Sequence, residues 1–237
     1  MVDYEIWIDG VSNKEAGVVM QGAVEISPAV PRVETVEIPG RNGDLHFWDG
    51  SYENRTATVG AYVYQQDFVK TAFSRVNQWL LSSVGYRKLA TDDDAEHYML
   101  ARVVNSAEIA ARIRRIAPFE IEFDCKPQRF LTIGDESIII DKNKTIENPT
   151  IFASKPLYKI NGSGSGNLFI GAYALYVSNI DGYVYYDAET QMAYKGSVNK
   201  NSTINAPDGL PFEGGAQAVN FTGGITSVEI IPRWWEL

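Results

Sequence analysis

The chain has 237 residues and a formal net charge of −9 at pH 7, with hydrophobic residues at 45% and charged residues at 22%. That length suits one large domain or two small ones, and the composition is that of a folded chain rather than a disordered one. The acidic excess repels phosphate backbones and argues against sequence-specific binding of DNA or RNA.

Further limits come from particular residues. Aromatic residues make up 12%, which leans the composition towards β structure. The start, Met1-Val2-Asp3-Tyr4-Glu5, has no basic region and no apolar run behind it, so no secretory signal is expected. No stretch of about 18 apolar residues predicts a transmembrane helix, so no membrane partner is expected. Cys125 is the single cysteine and cannot close an intrachain disulfide, which fits assembly in a cytoplasm.

In chain order, short alternating segments dominate. Tyr4 to Asp9 reads as a strand, with Tyr4, Ile6 and Ile8 on one face. Val18 to Ile26, Val33 to Ile38 and Thr56 to Tyr64 are further strands, separated by Gly, Pro and Asn. Between Asp67 and Leu81 the apolar residues Phe68, Val69, Ala72, Phe73, Val76, Trp79 and Leu80 fall at spacings of one, three and four. That spacing predicts an amphipathic helix over about 67–81, the single helix expected. Strands resume at Tyr86 to Ala90, His97 to Val104, Ile109 to Arg115 and Phe119 to Asp124, with Asp92-Asp93-Asp94 as a hairpin loop.

The stretch Lys126 to Asn143, with Pro127 and Gly134, predicts a boundary near residue 130 between domains 1–130 and 131–237. Beyond it the pattern is wholly β. The strands expected are Leu157 to Asn161, Asn167 to Ile170, Ala174 to Val177, Tyr183 to Tyr186, Met192 to Lys195, Ala216 to Thr222 and Thr226 to Ile231. Asp181-Gly182 reads as a two-residue hairpin and Gly162-Ser163-Gly164-Ser165-Gly166 as a β-turn. The glycine run lacks the Lys-Ser/Thr pair of a phosphate loop and opens no helix. The fold class expected is mostly β, with the helix in the first domain, and strands at this spacing without helices suggest a sandwich for the second.

Two clusters carry a family resemblance. The first is Ile38-Pro39-Gly40-Arg41-Asn42-Gly43-Asp44-Leu45, followed by Asp49-Gly50-Ser51-Tyr52-Glu53-Asn54-Arg55. The second comprises Asn148-Pro149-Thr150, Lys155-Pro156-Leu157, Ile160-Asn161-Gly162-Ser163-Gly164 and Pro232-Arg233-Trp234-Trp235-Glu236-Leu237. In order and spacing they resemble the siphophage distal tail proteins, and the resemblance covers nearly the whole chain.

It implies two β-sandwich domains, an N-terminal one with one helix and a galectin-like C-terminal one, and a homo-hexameric ring at the virion tail tip, assembled in the host cytoplasm. It also implies, as partners, the tail tube protein, the tape-measure protein and tail-associated or receptor-binding proteins. DNA would pass through the channel without specific binding.

Taken by themselves, Pro39-Gly40 and Asn42-Gly43 make a tight double bend. Arg41, Asp44, Asn54 and Arg55 are then candidate ring or partner contacts, with a solvent-exposed loop as the plainer alternative.

Catalytic chemistry finds little support. His46 and His97 have no Cys or His at metal-ligand spacing. Cys125 shares a parity with Phe119, Ile121 and Phe123, the place of a small core residue. Asp92, Asp93, Asp94 and Glu96 lack the alternating ligand pattern of a calcium loop, and no pair of carboxylates is marked out. No enzyme activity, cofactor or metal is expected.

An adsorption module binding cell-wall carbohydrate is the alternative. Its candidate aromatics are Trp234 and Trp235, which a strand would point to opposite faces, although the galectin sugar-binding runs are absent.

Overall fold

A computed structural model describes residues 4–63, 69–113 and 118–237. The chain is mostly β and divides into two compact units, Met1–Arg129 and Phe130–Glu236. Among the described residues no helix is long and apolar enough to cross a membrane.

The first unit begins with β1 (Ile6–Ile8), β2 (Val11–Ser12), β3 (Val18–Met20) and β4 (Glu25–Ile26), then β5 (Pro31–Val36), β6 (Leu45–Tyr52) and β7 (Arg55–Val63). Helix α1 (Val69–Val76) runs into a π-helical segment, Asn77–Leu81. Strands β8 (Arg87–Thr91) and β9 (Asp94–Val103), helix α2 (Ser106–Ile113) and β10 (Phe119–Leu131) follow. One antiparallel sheet has the order β2-β1-β8-β9-β10-β7-β3, with β4 also on β7.

Its core rows alternate small against large. Ala61 faces Phe119 and Ala57 faces Phe123 across the β7–β10 pair. Such pairing fills a layer without voids. Val76, Trp79, Leu80 and Ile109 belong to the same core cluster, so the helical segments supply its second layer. Arg87 donates to the carbonyl oxygens of Trp79 at 2.7 Å and Leu80 at 2.9 Å, satisfying acceptors that the end of a helix leaves open.

Two expectations change here. The segment expected as a strand from Ile109 is helical through Ile113, while Arg114 and Arg115 lie outside the described residues. Ile109 and Ile113 are four apart, a spacing that both alternation and a helical face allow, and Ala, Glu and Arg favour the helix. The strand expected over Val18 to Ile26 is split into β3 and β4. The helix expected over about 67–81 is found from Val69 to Leu81, its last turn widened; Asp67 and Phe68 lie outside the described residues.

The second unit holds β11 (Ile138–Ile140), β12 (Lys144–Asn148), β13 (Leu157–Ile170), β14 (Tyr173–Asp187), β15 (Met192–Lys195) and β16 (Val198–Asn199). It ends with β17 (Ile204–Asn205), β18 (Gly215–Ile231) and β19 (Trp235–Glu236). Six of the expected strands are here the halves of three long ones. Leu157–Asn161 pairs with Ser227–Ile231 and with Tyr183–Asp187, and Gly166–Ile170 pairs with Val219–Gly223 and with Tyr173–Val177.

A straight β13 would hold Tyr158 and Ile170 about 40 Å apart, yet both belong to one buried cluster. The three strands therefore bend together and lay their two halves face to face as a sandwich.

The bend lies where the register shifts, at Gly162–Gly166 of β13, at Ser178–Asn179 of β14 and at Gly223–Gly224 of β18. The Gly-Ser run is thus a corner inside a strand and not a turn between strands. Asp181-Gly182 likewise stays within β14, with Gly182 opposite Gly162. In sequence a β-bulge and a hairpin turn use the same glycines, and pairing to a third strand decides between them.

Candidate assembly surface

Strands β5 and β6 form a two-stranded sheet of their own, outside the large sheet. Val33 pairs with Trp48, Glu34 with Phe47, Thr35 with His46 and Val36 with Leu45. Every residue of β5 is exposed, and so are His46 to Gly50 of β6. Phe47 is 55% and Trp48 53% exposed, and Val33 and Val36 are exposed as well. Phe47 and Trp48 are consecutive, so each face of the ribbon carries one of the two large rings. A hairpin of two strands is marginal in water by itself. The arm nonetheless carries large, exposed apolar side chains on both faces.

Local bonds hold the arm in shape. Trp48 Nε1 donates to the Ser51 carbonyl at 2.8 Å, and the Trp48 and Tyr52 rings meet edge to face at 5.6 Å. Asp49 accepts the Ser51 hydroxyl and backbone N–H at 2.6 and 2.8 Å, and these bonds hold its carboxyl below its ordinary pKa.

The candidate contacts of the first cluster separate into tip and root. Arg41 and Asp44 are exposed in the loop that joins β5 to β6, and neither has an ion-pair partner among the described residues. Asn54 and Arg55 sit at the root and face their own chain. Asn54 donates to Asp124 and to the Tyr86 hydroxyl, both at 2.8 Å, and Arg55 Nε donates to the Ser27 carbonyl at 2.7 Å. Sequence reasoning missed Phe47 and Trp48. The signal available was that Leu45, Phe47 and Trp48 place apolar side chains on both parities of a strand beside a double bend.

The second cluster is a set of pins. Asn148 is 2% exposed. Its amide donates to the carbonyls of Phe152 and Glu213 at 3.0 and 3.2 Å, and its oxygen accepts the N–H and hydroxyl of Thr150. Arg233 holds Asp187 through both guanidinium Nη atoms, at 2.8 and 3.3 Å. Burial opposes ionisation of Asp187, but the Arg233 bonds and charge, together with the backbone N–H groups of Glu189 and Thr190, outweigh it and hold the pKa below the ordinary value.

Trp234 is core, at 7% exposure. Trp235 is half-buried, stacked on Phe152 at 4.4 Å with its N–H donated to Ala153. Of the two candidate outward aromatics, only Trp235 keeps a face towards solvent.

Burial pushes the Cys125 thiol up to about 12, with the Asp124 charge adding to it, the reverse of an activated nucleophile. The Asp92–Asp94 loop is spent internally. Asp92 accepts the Glu5 N–H, Asp93 the Tyr4 hydroxyl, and Asp94 is bonded to His97 and Arg129. Among the described residues no group of acids, His and Cys is arranged to hold a metal ion.

No family model and no curated protein matches the sequence. Solved structures do match. One is the crystal structure of the SPP1 Dit (gp 19.1) protein, described as a paradigm of the hub adsorption apparatus in phages infecting Gram-positive bacteria. It matches with a TM-score of 0.64 at 12% identity, over 96% of this chain and 98% of that one. Along nearly its whole length, then, the chain has the fold of a phage hub protein.

Proposed function

We propose that the chain is a structural distal tail protein of a long-tailed phage or prophage. Six copies close a ring by head-to-tail contacts. The ring joins the tail tube and tape-measure protein on one side to receptor-binding or tail-associated proteins on the other, and DNA crosses its channel during ejection. Its role is structural, not catalytic, and its place is the virion tail tip, after assembly in the host cytoplasm. The second unit, galectin-like on this reading, faces those outer partners.

The observation that carries the reading is the bare apolar arm in a chain with the fold of the SPP1 hub protein. On assembly the arm is covered by a second copy. Arg41 and Asp44 at the tip meet the neighbour, whereas Asn54 and Arg55 anchor the root.

Mass measurement and negative-stain imaging test it. Rings are expected for the full chain, alone or with tail partners. They should be lost in Phe47→Ser/Trp48→Ser, with melting unchanged. A monomer at every concentration, with no ring when tail proteins are added, would sink the proposal.

One observation favours a second reading, carbohydrate binding. On the outer face of the second unit Tyr185 stacks on Tyr194 at 5.3 Å, beside Tyr183, Lys159, Asn161 and Glu229. Aromatic rings beside paired polar groups suit sugar rings and their hydroxyls. Host-wall polysaccharide binding lost in Tyr185→Ala/Tyr194→Ala, or in Trp235→Ala, would promote it.

A further inference from the structure

Asparagine followed by glycine occurs at Asn42-Gly43 and again at Asn161-Gly162. The pair is chemically labile wherever the backbone can bend, because glycine has no side chain to keep its own nitrogen away from the preceding amide. The fold places the two pairs in opposite settings.

Asn42-Gly43 stands at the tip of the arm, in the loop between β5 and β6. The ladder below it ends at Val36 opposite Leu45. Both residues are exposed, and a side chain added at Gly43 would meet nothing within 4 Å. Among the described residues neither the Asn42 amide nor the Gly43 N–H makes a hydrogen bond. No contact therefore holds the Gly43 nitrogen away from the Asn42 side-chain carbon.

Asn161-Gly162 lies inside β13, between two strands. Gly162 is opposite Gly182 of β14 and Ile225 of β18. The Asn161 amide donates to the Ser227 hydroxyl at 3.1 Å and to Glu229 at 3.4 Å. The Gly224 carbonyl stands against the place a Cβ on Gly162 would take. The peptide between Asn161 and Gly162 cannot turn towards the side chain without breaking the ladder on both flanks. Asp49-Gly50, the related pair in the arm, is slowed differently. The Ser51 bonds keep the Asp49 carboxyl ionised, and a carboxylate is a poor electrophile.

We propose that Asn42 is a self-modification site, at which the folded arm deamidates. The Gly43 nitrogen gives its proton to hydroxide and attacks Cγ of Asn42. The N–Cγ bond forms, the Cγ–Nδ2 bond breaks, and the amide nitrogen takes a proton from water and leaves as ammonia. Water then opens the cyclic imide at either carbonyl, leaving aspartate or isoaspartate. The co-reactant is water, and nothing is oxidised or reduced. The tip gains a negative charge close to Asp44, and the isoaspartate form adds a carbon to the backbone of the turn. The site rests on the geometry of a single arm and stands whether or not a ring forms.

The experiment incubates the full chain for days in mildly alkaline buffer made with heavy-oxygen water, so that new conversion is distinguished from old. Peptide mass spectrometry follows Asn42 and Asn161, and isoaspartyl methylation identifies the isomer. The Asn42 peptide should convert steadily to a mixture of aspartate and isoaspartate, while the Asn161 peptide stays intact. In denaturant both should convert at similar rates, because the fold alone separates them. Gly43→Ala, which shields the attacking nitrogen, should remove most of the Asn42 conversion in the folded chain.

An Asn42 that stays intact in the folded chain, for as long as both sites convert in denaturant, would overturn the proposal. So would equal conversion of Asn42 and Asn161 in the folded chain. An unchanged rate in Gly43→Ala would do the same, since the Gly43 nitrogen would not then be the attacking group.

Discussion

The hairpin arm of the first unit and the corner of the second are both rich in glycine, and they use it in opposite ways. In the arm, a side chain added at Gly40, Gly43 or Gly50 would meet nothing within 4 Å. At the corner, a methyl group on Gly224 would run into the backbone carbonyl of Ser163, and one on Gly166 into that of Thr222. The arm needs glycine for the turn alone and leaves the space beside it open. The corner needs glycine because three strands must bend at one place with their backbones almost touching. The difference separates an open, solvent-facing arm from a joint already closed, and substitution can break each side of it.

The largest effect is expected at the corner. Gly224→Ala puts a Cβ against backbone, which no rotamer relieves, so β18 must move off β13. A loss of about 3 kcal/mol or more follows, read as a fall in the melting transition of the second unit. A fall of less than about 1 kcal/mol would mean that the strands are not pinched there.

A smaller effect is expected at the Arg233 pin beside the same sandwich. Asp187→Asn should cost about 1–2 kcal/mol at neutral pH. The sign of the pH dependence follows from the lowered Asp187 pKa. Its contribution is complete above the ordinary carboxylate value of 3.8 and disappears as pH falls through the lower folded value. The stability gap between wild type and Asp187→Asn should therefore close in acid. A gap that widened as pH fell below 4 would contradict the pairing.

Legibility in the sequence follows the same division. Alternation was enough for the β-rich class and for individual strands. Phe119, Ile121, Phe123 and Cys125 do share a buried face, because such a row depends only on the pleat. What alternation does not carry is continuity. The Gly162–Gly166 and Asp181-Gly182 segments have turn chemistry, and it is pairing between strands, of β13 with distant β18 and of β14 with β13, that keeps them in strand. The Ile109–Ile113 spacing suits two structures, and local propensity chose the helix.

The arm was legible in part. Its double bend after the strand ending at Ile38 was visible, and the exposure of Arg41 and Asp44 follows from it, but the return strand β6, Leu45–Tyr52, was not expected. The inward roles of Asn54 and Arg55 were hidden, because their partners Asp124, Tyr86 and Ser27 are distant in sequence. The exposure of Phe47 and Trp48 was hidden as well, since large rings ordinarily mark a core.

The smallest effects on stability belong to the arm. Gly43→Ala places a methyl group in open space, so its cost is only that of a residue with Cβ held at a φ of +79°. That cost is about 1 kcal/mol, and it falls on the tip and not on the melting of the first unit. Phe47→Ser with Trp48→Ser should cost less still, because side chains already in water lose little by becoming polar. Thermal melts of this double variant and the wild type should coincide within about 0.5 kcal/mol, while self-association is lost. A double variant that melts well below wild type would mean that the rings pack on the body of the first unit and not only, as Trp48 does on Tyr52, within the arm. The arm would then be a closed element like the corner, and the contrast between the two regions would fail.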